Sequence, residues 1–454
     1  MRRGLLRRMP AVAGVALATA TVAGGAGPAA TVARWQAAAP IPVAVSGAGF
    51  APLLGGTKAL VVGGSHDSGG ALSSLAAAQV YDPATNAWKK TSKTVHPLGP
   101  GTMAIPLRDG RVLAIGIRDD LGQGIDAEVY DPKKDRWSPT DLLTALTRGY
   151  AAALLADGRV LFASGRATAS SAGNGTAWSY PRSAYLFDPA TSHWSPAADA
   201  PPLAYASATG LADGRLLLTG GCGNTAYTPN DPCPYPVATA WLFDPVTNAW
   251  KATSHMVGTH KGQETVLLQD KRVLAVTEVF DPAKATWSRV AGAPNDAGAF
   301  MTMPTGKVLA VGDDHAYLFD PQAGSWSPTA SLPARRQRVR LALLANGKVL
   351  ATSALAAADL YTAPGPVLKN VNAIVTPAGT ALVVRFSVSE PATVAATSVL
   401  GVARVSARMG PGRLVVGLSP RVVPGRYAVV VSATGRTGSD SAPSRLSVDV
   451  PRHT

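Results

Sequence analysis

The sequence contains few of the residues from which catalytic and metal sites are usually built. Among 454 residues there are two cysteines, seven histidines and 28 acidic residues. Ten of the 24 aspartates stand in recurring turns, and no hydrolase constellation emerges from the carboxylates. The two cysteines, Cys222 and Cys233, have no cluster of histidines near them, which makes a zinc site a poor interpretation.

Long apolar runs and helical periodicity are also missing. After residue 33 no apolar stretch reaches the roughly 20 residues that a membrane-spanning helix needs. No segment beyond that point keeps an apolar period of about 3.6 residues. The chain has 46 glycines and 36 prolines, a content that is high for a helical protein and natural for short strands joined by turns. The sequence therefore predicts an all-β fold.

Residues 1–33 differ from the rest and predict a signal peptide. Four arginines within the first eight residues precede an apolar stretch at 11–23, and small residues that suit cleavage follow it. We therefore expect export to an extracellular or cell-envelope location, with no transmembrane span after cleavage. A twin-arginine route and an uncleaved anchor are the alternatives. In an exported protein, Cys222 and Cys233 are expected to form a disulfide.

One short pattern returns along the chain: Tyr or Phe, then Asp-Pro, then Trp six residues after the Asp. The Asp-to-Trp offset is constant, whereas the spacing between copies varies, which indicates a repeat architecture. The aspartates are expected to be structural and to accept backbone hydrogen bonds in their turns. The six copies begin at Tyr81, Tyr130, Phe187, Phe243, Phe280 and Phe319.

A tight turn followed by an apolar strand precedes each copy. Asp109-Gly110-Arg111-Val112-Leu113 is a clear example, and related turns begin at 56, 157, 213, 270, 305 and 346. Asp-Gly and Asn-Gly supply the positive-φ positions that a hairpin needs. Each unit is thus predicted to hold four antiparallel strands, and units of about 40–50 residues with this content are typical of β-propeller blades.

The count of units predicts a closed ring of seven blades. Seven turn-strand elements and seven third strands are present if Leu360-Tyr361 is accepted as the last, but a fourth strand follows only six of them. Trp35 stands alone ahead of the first unit. We expect the strand around Trp35 to complete the last blade, whose other strands come from about 338–361. This pairing would remove an open sheet edge.

The repeated features resemble kelch repeats, particularly those of secreted bacterial proteins. They are the strand that ends in Gly-Gly, as at Gly63-Gly64 and Gly220-Gly221, the Tyr-Asp-Pro and the Trp, and they cover roughly 35–361. The resemblance implies a seven-bladed kelch β-propeller, which we place at residues 34–364.

Residues 365–454 carry a different pattern and predict a small β-sandwich. Apolar residues alternate along 381–388, and the turn Pro424-Gly425 leads into another apolar strand. The segment resembles the Ig-like or fibronectin-like modules of exported bacterial proteins. It holds ten basic and three acidic residues, about half of the net charge of +14. This charge serves either solubility or attraction to an anionic envelope polymer or lipid surface.

Function is expected on one face of the ring. The loops after Gly-Gly and after Trp share that face and vary in length, the largest insertions being about 166–182 and 221–237. Aromatic rings there suit a sugar or a peptide, and arginines suit a carboxylate or phosphate. Packing between loops and solvated charge are the alternatives. The candidate ligand-binding residues are Trp178, Tyr180, Tyr227, Tyr235, His66, Tyr150, His260, Arg335 and Arg336.

An exported kelch propeller with a C-terminal sandwich also resembles the copper radical oxidases, such as galactose oxidase. That chemistry needs two tyrosines, two histidines and a thioether-forming cysteine. Here no Tyr-His pair occurs and both cysteines share one loop, so we assign no catalytic residue, metal or cofactor. The preferred hypothesis is a monomeric, non-catalytic protein that binds a glycan or a protein at the cell envelope and no nucleic acid. A diverged oxidase acting on an alcohol or aldehyde is the alternative.

Overall fold

The computed structural model divides the chain into two compact units, one spanning Ala33–Ala363 and the other including Pro364–Thr454. The segment predicted as a signal peptide lies almost entirely outside the residues that the structure describes. None of the described residues belongs to a helix long and apolar enough to cross a membrane. The described residues are 33–67, 72–118, 124–141, 143, 148–163, 165, 167–168, 178–223, 233, 235–262, 264–275, 277–294, 298–353, 356–365, 368–375, 381–388, 392–398, 401–407, 410–417, 425–435 and 444–450.

The first unit is a ring of seven four-stranded antiparallel sheets, and the prediction of an all-β, seven-bladed propeller is confirmed. In chain order the strands are Gly49–Leu53, Lys58–Val62, Ala78–Asp82 and Ala87–Lys90 (blade 1); Met103–Pro106, Val112–Arg118, Gly124–Asp131 and Arg136–Pro139 (blade 2); Ala151–Leu154, Val160–Ala163, Ala184–Asp188 and His193–Pro196 (blade 3); Ser207–Gly210, Leu216–Thr219, Ala240–Asp244 and Ala249–Ala252 (blade 4); Val266–Leu267, Val273–Ala275, Glu278–Asp281 and Thr286–Arg289 (blade 5); Ala299–Thr302, Val308–Val311, Ala316–Asp320 and Ser325–Pro328 (blade 6). Blade 7 consists of Arg340–Leu343, Val349–Thr352, Ala358–Thr362 and the N-terminal strand Arg34–Ala37.

The first strand of each blade lies at the centre of the ring. First strands of successive blades contact one another all the way round, including the contact between blades 7 and 1. Two short hairpins extend the sheets, Ser65–Asp67 with Leu72–Ser74 in blade 1 and Ala167–Thr168 with Trp178–Ser179 in blade 3. One 3-10 turn, Leu54–Gly56, is present in the described part of the chain.

The ring closes as the sequence predicts. The strand Arg34–Ala37 pairs antiparallel with Ala358–Thr362, and Trp35 stands opposite Tyr361. Their ring centroids lie 5.1 Å apart. Blade 7 therefore combines one strand from the beginning of the propeller with three from its end.

The recurring aromatic pair fixes each blade to the one before it. In all seven blades the Trp of the fourth strand packs on the Tyr or Phe of the third, with ring centroids 4.8 to 5.2 Å apart. In six blades the indole N–H also donates to an oxygen just after the fourth strand of the preceding blade, as Trp88 does to the carbonyl of Ala39 at 2.8 Å. The other five bonds are made by Trp35, Trp137, Trp194, Trp250 and Trp287. In blade 6 the buried Trp326 N–H has no such partner among the described residues.

The two recurring turns are also structural. In all six Asp-Pro copies the carboxylate accepts the backbone N–H two residues later at 2.8 to 3.0 Å, which confirms the predicted role of these aspartates. The arginine of the Asp-Gly-Arg turn binds its own turn's aspartate. In blades 2 and 3 it also reaches the Asp-Pro turn of the next blade, as when Arg159 donates to the carbonyl of Pro245 at 3.2 Å. Arg272, in the related Asp-Lys-Arg turn of blade 5, donates to the carbonyl of Pro321 at 2.9 Å. The end of the ring that carries these turns is therefore a scaffold.

The second unit contains two antiparallel sheets. One consists of Leu368–Val375, Ala381–Val388 and Gly410–Gly417, and the other of Gly401–Ala407, Ala392–Ser398, Gly425–Gly435 and Ser444–Val450. The side chains of Leu382, Val384, Phe386 and Val388 are buried, as expected for one face of a half-buried strand.

We predict that Trp35→Ala lowers the free energy of unfolding by about 2–4 kcal/mol, because it removes an aromatic contact and the hydrogen bond to Ala330 at the ring closure. Urea denaturation measures the change. Arg34→Ala is the matched control, since Arg34 lies on the same strand but is exposed. Equal stability of the two variants would contradict a closing role for Trp35.

Candidate functional site

The variable loops share one end of the ring, here called the loop face. It carries the connections between second and third strands, and those from each fourth strand to the first strand of the next blade. Blades 1 and 3 add their hairpins to this face, and blade 2 adds long second and third strands, Val112–Arg118 and Gly124–Asp131. Blades 5 and 6 are low, because Ala275 and Glu278 are paired directly across a tight turn and Gly312 bonds to His315.

The disulfide Cys222–Cys233 lies in the loop-face insertion of blade 4, as predicted. Its half-cystines are buried, and Cys222 exchanges two backbone hydrogen bonds with Ala204. Lys261, which leads into blade 5, donates to the carbonyl of Cys233 at 2.8 Å. The disulfide therefore ties the blade 4 insertion to the loops on both sides of it.

A cavity of about 600 Å³ occupies the loop-face mouth of the central channel. Its wall is formed by residues at or just before the first strands of all seven blades. Phe50, Tyr150, Tyr205 and Phe300 give it aromatic surface, while Thr265, Glu264 and Arg340 give it polar groups. A volume of this size lies within the range of small-molecule and side-chain binding pockets.

The polar centre of this cavity is an ion pair that joins blades 5, 6 and 7. The Arg340 guanidinium lies 2.8 Å from Glu264 Oε1, and the backbone N–H of Phe300 donates to Oε2 at 3.2 Å. Withdrawal from bulk water raises the pKa of Glu264, an effect that Arg340 opposes. The carboxylate still keeps 36% of its side-chain surface accessible, because it faces the cavity.

A second cavity of about 190 Å³ adjoins the first between blades 6, 7 and 1. The two share Phe50 and Arg340 in their walls. Arg338 and Asp313 line the second cavity, and Arg338 reaches Ser46 Oγ at 3.2 Å. The mouth of the channel therefore continues sideways as a groove over the low side of the ring.

A buried polar side chain anchors the incoming loop in four blades. It stands two residues before the aromatic of the third strand, a place we call the loop-anchor position. In blade 5, Glu278 accepts the backbone N–H groups of Val257 and Gly258 at 2.5 and 2.6 Å and lies 3.1 Å from His260 Nε2. In blades 1, 2 and 7 the anchors are Gln79, Glu128 and Asp359. Blades 3, 4 and 6 carry Tyr185, Trp241 and Tyr317 there.

Those predicted site residues that the structure describes are distributed around the loop face and do not converge on one point. Tyr150 lines the channel mouth, but it is buried and its hydroxyl lies 2.9 Å from the Ile115 carbonyl and 3.1 Å from that of Gly101. Burial raises its pKa. His260 is held by Glu278. These two side chains thus connect parts of the scaffold.

The arginines of the predicted anion site bind the protein's own carboxylates. Arg335 lies 2.9 Å from Asp313 Oδ2, and Arg336 lies 3.1 Å from Asp359 Oδ2. Arg335 is largely exposed, whereas Arg336 is mostly buried. Both arginines of this run are therefore already paired with carboxylates of the same chain.

The remaining predicted residues differ in how exposed they are, and Trp178 and Tyr227 lie partly or wholly outside the described residues. Tyr235 is 57% exposed. His66 is exposed, and its Nδ1 lies 3.4 Å from the Ala44 carbonyl. Tyr180 is half-buried. Trp178 pairs through its backbone with Thr168, and Tyr227 lies outside the described residues.

Comparison with known proteins supports a kelch-type propeller. No family model matches the chain. A protein of Arabidopsis thaliana described as an F-box/kelch-repeat protein is 24% identical over 226 residues, which cover 47% of this chain and 63% of that protein. The chain thus matches less than two thirds of the length of this relative. The similarity and the seven blades agree on a kelch propeller.

We predict that Glu278→Gln lowers the free energy of unfolding by about 1–3 kcal/mol, because the new amide N–H₂ would face a buried backbone N–H. Urea denaturation measures the loss, and hydrogen exchange at Val257 and Gly258 should accelerate. Asp199→Asn removes the same charge from an exposed carboxylate and should leave the free energy of unfolding and the exchange rates unchanged. Unaltered exchange in Glu278→Gln would exclude the anchoring role.

Proposed function

We propose that the protein is an exported binding protein that docks a protein partner on its loop face. The observation that carries the proposal is the distribution of exposed apolar side chains. Of the four large hydrophobic residues that the described chain exposes, three lie on the loop face: Val95 at 53%, Tyr235 at 57% and Val257 at 48%. The fourth, Val246, lies in an Asp-Pro turn on the opposite face. Exposed apolar side chains concentrated on one face of a domain favour that face as an interaction surface.

The exposed residues are held in place by the scaffold beneath them. Val95 and Val257 are displayed by equivalent loops, and their backbone N–H groups bind the buried carboxylates Glu128 and Glu278. The disulfide-bearing insertion that holds Tyr235 is tied to the Val257 loop through Gly221 and His260. A surface ordered before binding loses less conformational entropy when a partner docks.

The channel mouth gives this surface a polar centre. A loop or terminus of the partner that enters the cavity meets Arg340 and Glu264 beside the rings of Phe50 and Phe300. A cavity with a few fixed polar groups favours one register of docking. The kelch-repeat relative agrees with an interaction role for such a propeller.

Export and a cell-envelope location belong to the same proposal. They are supported by the basic and apolar pattern of residues 1–33 and by the Cys222–Cys233 disulfide, since disulfides persist mainly in oxidising compartments. The basic segment 365–454 would then face the anionic polymers or lipids of an envelope.

We predict that a photo-crosslinking residue at position 257 captures a protein partner in the source cells, whereas the same residue at position 246 does not. With that partner purified, Val257→Asp and Tyr235→Ala should each weaken binding at least tenfold, about 1.4 kcal/mol, because they change exposed contact residues without altering the core. Val246→Asp is the matched control and should bind with unchanged affinity. Calorimetric titration measures all three.

Two results would overturn the proposal. One is equal crosslinking from both faces, or equal affinity of the loop-face and control variants. The other is binding on a glycan array that Val257→Asp and Tyr235→Ala abolish, which would make the ligand a glycan.

A further inference from the structure

Blade 2 brings three potential metal ligands together beneath the loop that displays Val95. His96 Nδ1 lies 2.8 Å from Asp126 Oδ2 and 3.7 Å from Glu128 Oε1. The three ligand atoms all lie within 4.8 Å of one another, and no other group of three such side chains occurs in the described part of the chain. Metal–ligand bonds of about 2.0–2.2 Å place neighbouring ligand atoms roughly 3–3.5 Å apart, so the observed spacing is close to that of a coordination shell.

The cluster is buried and its charges are incompletely balanced. The side chains of Asp126 and Glu128 are 3% and 0% exposed. Arg118 lies 3.2 Å from Asp126 Oδ2 and supplies one positive charge against two carboxylates. Two buried carboxylates with one cation are stabilised by any further positive charge placed between them.

The imidazole nitrogen that faces the carboxylates is unsatisfied. His96 Nδ1 is itself buried, yet it forms no hydrogen bond of acceptable geometry with the described residues. His96 is at the same time held in place, because its backbone N–H donates to Glu128 at 2.8 Å and its carbonyl accepts from Thr94 Oγ1 at 2.7 Å. A buried imidazole nitrogen that lies 2.8 and 3.7 Å from two carboxylates can act as a third ligand to a divalent ion when it is unprotonated.

Blade 5 shows that the third ligand is an addition to the loop anchor. There Glu278 also contacts a histidine, His260, with 3.1 Å between Nε2 and Oε1, although the residue at the loop place of His96 is Gly258. Two residues before Glu278 the sequence has Val276, where blade 2 has Asp126. The glutamate alone is therefore sufficient to anchor the loop in blade 5, and Asp126 is not needed for anchoring.

We propose that His96 Nδ1, Asp126 Oδ2 and Glu128 Oε1 form a binding site for a divalent first-row metal ion, with water completing the coordination. One nitrogen and two carboxylate ligands suit Zn²⁺ or Mn²⁺ better than Ca²⁺, which takes oxygen ligands. Each carboxylate oxygen retains a lone pair beyond its present hydrogen bonds. The site stands independently of the docking surface proposed above.

The test uses the full chain after removal of metals with a chelator. Calorimetric titration with Zn²⁺ or Mn²⁺ alone should show one ion per chain, and elemental analysis after dialysis should give the same count. Asp126→Asn and His96→Gln should each weaken binding at least tenfold. His260→Gln alters the histidine–glutamate pair of blade 5, and this variant should bind the metal ion as tightly as the unmodified protein does.

Circular dichroism establishes that each variant is folded. Should Asp126→Asn not fold, His96→Gln carries the test, because the His96 side chain is 32% exposed and tolerates replacement. The site is refuted if neither ion binds, if both substitutions leave binding intact, or if His260→Gln weakens it equally.

Discussion

The structure depends on the contact between the tryptophan of each fourth strand and the aromatic ring of the third. The ring contact holds the outer edge of a blade, and the indole N–H reaches across to the backbone that leaves the preceding blade. One residue therefore stabilises a sheet and fixes its angle to the neighbouring sheet. The indole bond links six of the seven blades to the one before, so five blades are held through both their predecessor and their successor.

This arrangement places the repeated turns at one end of the ring and the variable loops at the other. The Asp-Gly-Arg and Asp-Pro turns bond to each other between blades, as Arg159 does with Pro245. The loops at the opposite end take no part in these contacts, so they can vary in length and chemistry. These loops are nevertheless held from below by buried groups such as Glu278, so variation at their tips does not disturb the sheets.

The fold could be predicted from the sequence because its determinants are local and repeated. The constant offset from Asp to Trp and the lone Trp35 were sufficient to count seven blades and to close the ring. The candidate site was harder, since its chemistry depends on contacts between distant loops. The arginine run suits an external anion when it is considered alone. In the fold, Arg335 and Arg336 meet Asp313 and Asp359, 22 and 23 residues away in sequence on blades 6 and 7.

The loop-anchor position was missed for a related reason. It holds Gln79, Glu128, Glu278 and Asp359 in four blades and aromatic residues in three. The position therefore recurs in every blade, but the residue type does not. The signal that could have found it is the fixed offset of two residues before the third-strand aromatic. At that offset an ionisable residue within an apolar strand would be buried and would need partners.

The ring closure has a consequence for how the chain acquires its structure. Trp35 is among the first residues of the propeller to be made, and its partner Tyr361 is among the last. Blade 7 can form only after six other blades have been synthesised, so the strand Arg34–Ala37 waits unpaired for most of that time. Contacts so distant in sequence form slowly, and until blade 7 is complete the strand Ala358–Thr362 has an open edge with which another chain can pair. The pairing that joins the two ends of the propeller therefore makes closure of the ring depend on its final blade.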